Sequence, residues 1–186
     1  MTFQSADTVT TELALPLVRI SRVSAPDVLD LRAQVLRDGG SLESARYTRD
    51  DLPTTVHLAA HDLAGAVVGV VTCQHAARSV RCPAPVPLSE VAPGQVQRWP
   101  DIREPAWQMR GMAVADRWRS KGVGRLLLNA ALRIAQSEGI TELWAHARVT
   151  ALDFYRREGF EVVSGVFHLT WGPHVVVVRP VTPPDA

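Results

Sequence analysis

Apolar and polar positions along this chain follow two periods, and the places where one gives way to the other mark its elements. Leu17-Val18-Arg19-Ile20 is a short β-type run, after which Pro26-Asp27 opens a helix. In that helix Val28, Leu29, Leu31, Val35 and Leu36 recur at helical spacing until Gly39-Gly40 ends it. A second short helix is expected around Leu42 to Arg46. Val56 to Ala60 and Ala66 to Val71 are β-rich runs separated by Asp62 and Gly65, which predicts a hairpin and therefore a mixed sheet. Trp107 to Val114 is a fourth strand, with Gly111 marking a bulge where a ligand backbone can approach. Val123, Leu126, Leu127, Ala130, Ala131, Ile134 and Ala135 make the apolar stripe of a long helix that stops at Glu138-Gly139. Ile140 to Ala145 is the fifth strand and Thr150 to Glu158 the fourth helix; Glu161 to Leu169 and His174 to Val178 pair at the end through Trp171-Gly172-Pro173. The expected architecture is a single α/β (α+β mixed) domain, a seven-stranded mixed sheet with about four helices in the order β-α-α-β-β-β-α-β-α-β-β.

Between 77 and 105 the periodicity disappears and Pro83, Pro85, Pro87, Pro93, Pro100 and Pro105 accumulate, which rules out a central strand or long helix there. Two readings stand, a lid or wall for a site and a plain surface excursion.

Arg119-Ser120-Lys121-Gly122-Val123-Gly124 joins the fourth strand to the long helix. Two glycines and no acids let backbone N–H groups gather round an anion at the positive end of the helix dipole, a design suited to phosphate. The same residues would also make an ordinary tight strand-to-helix turn. A P-loop is excluded because the G-x-x-x-x-G-K-[ST] pattern is missing, and a dinucleotide fingerprint because Leu127 stands where its third glycine belongs.

Arg119-x-x-Gly122-x-Gly124 following Met112-Ala113-Val114, with Ala151-x-x-Phe154-Tyr155-x-x-x-Gly159-Phe160 further on, resembles the GNAT superfamily of acyl-CoA-dependent N-acetyltransferases. The motif-bearing part runs from Trp107 to Phe160. The resemblance implies acetyl-CoA as co-substrate, held along Met112, Ala113 and Val114 by its pantetheine arm and by Arg119, Ser120, Lys121, Gly122, Val123, Gly124 and Arg125 at its phosphates. It also implies that the fourth strand splays from the fifth, with Met112 and Val114 offering their unpaired backbone groups to the arm. Such groups are costly when buried, and an extended amide-bearing ligand satisfies them. Tyr155 holds the motif position of a general acid near the thioester sulfur; packing beside Phe154 is its other reading. Some members carry a glutamate base where this chain has Gln108, and many an asparagine where it has Arg148.

The transfer needs two proton movements. An aliphatic amine with pKa about 10.4 is neutral in roughly one molecule in 2,500 at pH 7, equivalent to about 4.6 kcal/mol, so a base is required. Gln108 cannot be that base; a bound water is the expected relay, aided by His146 or His174. On the leaving side, a phenol of pKa about 10 stays neutral at rest and can protonate a departing thiolate. Gln108, Arg110 and His174 are the candidate acceptor contacts, and Arg148, Arg110 and Arg32 are candidates for an anionic acceptor, Arg110 first.

Length, composition and charge narrow the partners. A chain of 186 residues with 46% hydrophobic content suits one domain, taken as 16–180 between a flexible segment 1–15 and a tail 181–186. Net charge is +1 with signs interspersed, which argues against nucleic acid and against a membrane surface. The start lacks a signal-peptide pattern and no apolar run approaches a membrane span, so a cytoplasmic protein, monomer or homodimer, is expected. Cys73-x-His75-x6-Cys82 matches no common zinc spacing, and no metal is expected. Two functions stay open: transfer of an acetyl group to a small-molecule or peptide amine, and a catalytically weak acyl-CoA-binding sensor or interaction module.

Overall fold

The structure, a computed structural model, describes residues 18–76 and 105–182. The expected segment 1–15, the proline-rich stretch up to 104, Cys82 and the end of the tail lie outside them. Strand β1 (Arg19–Val23) leads into helix α1 (Ala25–Leu36), whose start is fixed by Asp27: its carboxylate accepts the Ser24 amide at 2.8 Å and the Ser24 hydroxyl at 2.6 Å. Those bonds hold the Asp27 carboxyl below its ordinary pKa. A single turn, α2 (Leu42–Ala45), follows.

Strands β2 (Val56–His61) and β3 (Val67–His75) form the expected hairpin. Asp62 makes its turn, the carboxylate taking the amides of Ala64 and Ala66 at 3.0 and 2.9 Å. Next come β4 (Ala106–Val114), α3 (Val123–Ser137), β5 (Glu142–Arg148) and α4 (Leu152–Arg157), then β6 (Glu161–Val162), β7 (Phe167–Leu169) and β8 (Gly172–Pro180). The sheet runs β1-β2-β3-β4-β5-β8-β6 with β7 beside β8, antiparallel everywhere except between β4 and β5.

One expected strand, Glu161 to Leu169, is divided, which makes eight strands among the described residues instead of seven. Ser164 causes the break. Its buried hydroxyl oxygen accepts the Val176 amide at 2.7 Å, so a side chain stands where a backbone carbonyl would have continued the ladder. The fourth helix also begins later than expected, after a tight turn over Val149–Ala151.

The two faces of the sheet are covered by different helices. Val28 and Leu31 of α1 pack with Ala59, Val70 and Ala113. On the opposite face Val123, Leu127, Leu128 and Ala131 of α3 pack with Leu58, Val68 and Val71, in a cluster that also takes in Tyr155 and Phe160. Cys73 lies wholly inside this cluster, where burial pushes its thiol pKa up to about 12. Among the described residues no helix is long and apolar enough to cross a membrane.

Candidate active site

The site forms where the sheet opens. β4 and β5 pair in parallel only over Ala106 to Gln108 against Glu142 to Trp144; beyond that, β5 turns its hydrogen bonds to β8 alone as far as Arg148. The other edge of β4 stays paired with β3 up to Val114, through a bulge in which β4 spends one residue more than β3 between Ala113 and Arg110. Gly111 sits in that bulge at φ 61, and a Cβ there would meet the Arg32 guanidinium at 2.7 Å and the Tyr47 ring at 2.9 Å. The expected bulge is therefore present, and what approaches Gly111 is this chain's own Arg32 and Tyr47.

Strand parity tells which groups face the opening. The Ala115 amide bonds Val68 of β3 at 2.9 Å, so the backbone groups of Ala113 also face β3 while those of Met112 and Val114 face the side β5 has left. Arg119 Nε reaches the Val114 carbonyl from that side at 3.4 Å.

The loop after β4 presents its amides. Ser120 and Gly122 both take left-handed conformations, φ 59 and 83, which bend the loop tightly into the start of α3. The first hydrogen bond into α3 runs from Leu126 N–H to Gly122 at 3.0 Å, so the amides of Val123, Gly124 and Arg125 precede the ladder, and the first turn carries no acid. Two flanking arginines are engaged elsewhere: Arg119 pairs with Asp116 and Arg125 with Glu158, each at 2.8 Å. Lys121 lies over Trp118 at 5.6 Å.

At the far end of the opening is a cavity of about 240 Å³. It brings together Gln108, Arg110, Met112, His146, Arg148, Tyr155 and His174 from the sequence-derived candidates, and adds Arg37, Tyr47 and Trp171. Arg32 is not among them. It is buried, gives Nη1 to Asp50 at 2.7 Å and Nη2 to Thr72, and so cannot meet an acceptor. His57 completes that network with Nδ1 at 2.7 Å from the Thr72 hydroxyl.

Tyr155 is held between Phe154 and Phe160 by edge contacts at 5.4 and 5.2 Å, and burial pushes its phenol up to about 12. Packing and cavity lining are both true of it: the ring is core, and the residue borders the cavity. Both histidines are driven toward the neutral form. Burial, with Arg110 and His174 nearby, brings His146 down to about 4, and burial also lowers His174. His174 Nδ1 lies 2.8 Å from the Gly172 carbonyl and must donate to it, which leaves Nε2 as the basic nitrogen.

Tyr47, Arg37 and Trp171 went unnoticed in the sequence. Tyr47 faces three guanidiniums, with Arg110 at 3.9 Å, Arg32 at 4.5 Å and Arg37 at 5.8 Å from its ring, and Trp171 faces Arg37 at 4.8 Å. No local pattern marks these residues; only the fold of α1, the segment after α2 and the β7–β8 turn gathers them.

Comparison with known proteins agrees with this geometry. Residues 26–160 match the acetyltransferase (GNAT) family. The chain belongs to that family. It is thus an acyl-CoA N-acyltransferase by membership. The uncharacterized N-acetyltransferase YitI of Bacillus subtilis (strain 168) is 22% identical over 165 residues, covering 88% of this chain and 96% of its own. Among solved structures, an aminoglycoside 6'-N-acetyltransferase complexed with coenzyme A superposes with a TM-score of 0.62 at 14% identity, over 90% of this GNAT chain and 99% of that one. The ribosomal-protein-S18-alanine N-acetyltransferase from Escherichia coli gives 0.62 at 13% identity, over 91% and 97%. At these identities the likeness concerns the fold.

Proposed function

We propose that this GNAT protein moves an acetyl group from acetyl-CoA directly to a primary amine while both are bound. The observation that supports it best lies along β4: the strand that β5 leaves after Gln108 borders the cavity with Met112, beside Tyr155, and leads on through Val114 to the phosphate-suited loop. Acetyl-CoA supplies the activated thioester. Met112 and Val114 offer backbone groups to the amide-bearing arm, and the amides from Ser120 to Arg125 receive the phosphates.

At the cavity end, the amine nitrogen forms its bond to the acetyl carbon as the carbon–sulfur bond breaks. Tyr155 gives its phenolic proton to the leaving sulfur and regains one from solvent. His174 Nε2, directly or through a water, takes the proton the amine must lose. Its lowered pKa keeps it unprotonated and ready at neutral pH, at the expense of basicity. Holding both reactants in one cleft replaces a bimolecular encounter with an oriented one. A cytoplasmic setting, where acetyl-CoA is made available, fits this chemistry.

Release of free thiol from acetyl-CoA on mixing with a panel of primary amines tests the proposal. Amine-dependent release supports it. Tight acetyl-CoA binding with no release from any amine would make the protein the sensor that Gln108, in place of an acid, leaves open.

A further inference from the structure

The cavity at the acceptor end is lined by three arginines, Arg37, Arg110 and Arg148, and by no aspartate or glutamate among the described residues. None of the three forms an ion pair within the described residues, although seven other basic side chains do. Arg110 is the most exposed to the consequences of burial. Its Nε is inaccessible to solvent and has no hydrogen-bond partner, and desolvation lowers its pKa. Asp50, the acid whose charge acts on it, is buried and paired with Arg32. Arg37 and Arg148 are fixed in place by the Leu36 carbonyl at 2.9 and 3.0 Å, and Arg37 Nε also bonds Ser44 at 2.8 Å. Tyr47 and Trp171 hold the guanidiniums by their faces.

Uncompensated positive charge in a half-buried pocket is costly unless something anionic completes it. A planar guanidinium with its hydrogen-bonding edge free is suited to bidentate capture of a carboxylate. A polycationic acceptor would meet three like charges. We infer that the amine accepted in this cavity belongs to a small molecule that also carries a carboxylate, with Arg110 as the principal carboxylate contact and Arg148 and Arg37 setting the surrounding field. The inference rests on the acetyltransferase reading above and names its substrate class.

The test compares amino acids with the amines that remain when the carboxylate is removed: β-alanine with ethylamine, valine with isobutylamine, tyrosine with tyramine, lysine with cadaverine, and spermidine as a polycation. With the full chain and saturating acetyl-CoA, thiol release should favour the carboxylate member of at least one pair by about 10- to 100-fold in kcat/KM, the value of one or two charge-assisted hydrogen bonds. In Arg110→Gln that ratio should collapse toward one through a rise in KM for the acid, and in Arg148→Gln it should fall less. Acetyl-CoA binding by calorimetry verifies that each variant is folded. Should Arg110→Gln not fold, Arg110→Lys, which keeps the charge and loses the planar fork, should lower the ratio instead. The inference is overturned if decarboxylated amines or spermidine react as well as the acids, if none of the acids reacts, or if the ratio survives in the Arg110 variant. Failure of wild-type protein to bind acetyl-CoA is a different result, and would remove the acetyltransferase reading itself.

Discussion

Tyr155 and His146 carry their properties because of what surrounds each ring. Tyr155 is packed between two phenylalanines, so the same contacts that make it core also keep its phenol protonated. Tyr155→Phe keeps the packing and removes the proton. Its kcat should fall by about 10²-fold or more while acetyl-CoA affinity changes little, as steady-state kinetics and calorimetry would reveal; unchanged turnover removes Tyr155 from the mechanism. His146 has a pKa of about 4 folded against about 6.5 unfolded, so as pH falls through that window the unfolded chain takes up a proton first. The stability of the neutral folded histidine is complete above about pH 6.5 and is lost toward pH 4. Between pH 7 and 5 the loss should be at most about 2 kcal/mol greater in wild type than in His146→Leu, read as the difference in their denaturant midpoints at the two pH values. Equal losses would mean that burial does not suppress this histidine's charge.

At the scale of elements, α3 is the part that aims the phosphate-suited loop. Its stripe of Val123, Leu127, Ala130, Ala131 and Ala135 is buried, with Leu127 fully enclosed. Leu127→Asp places an unpaired carboxylate against the sheet and should cost roughly 3 kcal/mol or more, lowering the melting temperature and acetyl-CoA affinity together. Wild-type melting and binding in that variant would show that this face does not dock. The stripe was legible in the sequence from its 3.6-residue period, though Leu128, fully buried, falls outside the expected set and Leu126 and Ile134, inside it, are only partly buried. The bulge at Gly111 was legible for a similar reason: a glycine inside a β-rich run has few other uses. The division of the last strand was not. Ser164 in that run is an ordinary polar residue until the fold brings its hydroxyl to the Val176 amide.

For the whole molecule, the proposed cofactor side of the site carries a pattern in the sequence and the proposed acceptor side carries none. The loop from Arg119 to Gly124 and the motif around Tyr155 are contiguous stretches, so their pattern is written locally. The acceptor cavity takes its lining from α1, the segment after α2, β4, β5, α4 and the β7–β8 region, and single residues from so many elements leave no pattern. Arg32 illustrates the limit in the other direction. Set among apolar positions of α1, it passes for an available cation, yet Asp50, eighteen residues later, and Thr72 hold it inside the protein. Arg110, flanked by Met109 and Gly111, does reach the cavity.

All of this depends on the cleft between β4 and β5 being a place for acetyl-CoA. Isothermal titration of acetyl-CoA into the purified protein measures that directly. One site per chain is predicted, with affinity weakened by Leu127→Asp and largely indifferent to Tyr155→Phe; no detectable heat from folded wild-type protein at any temperature tried would contradict it.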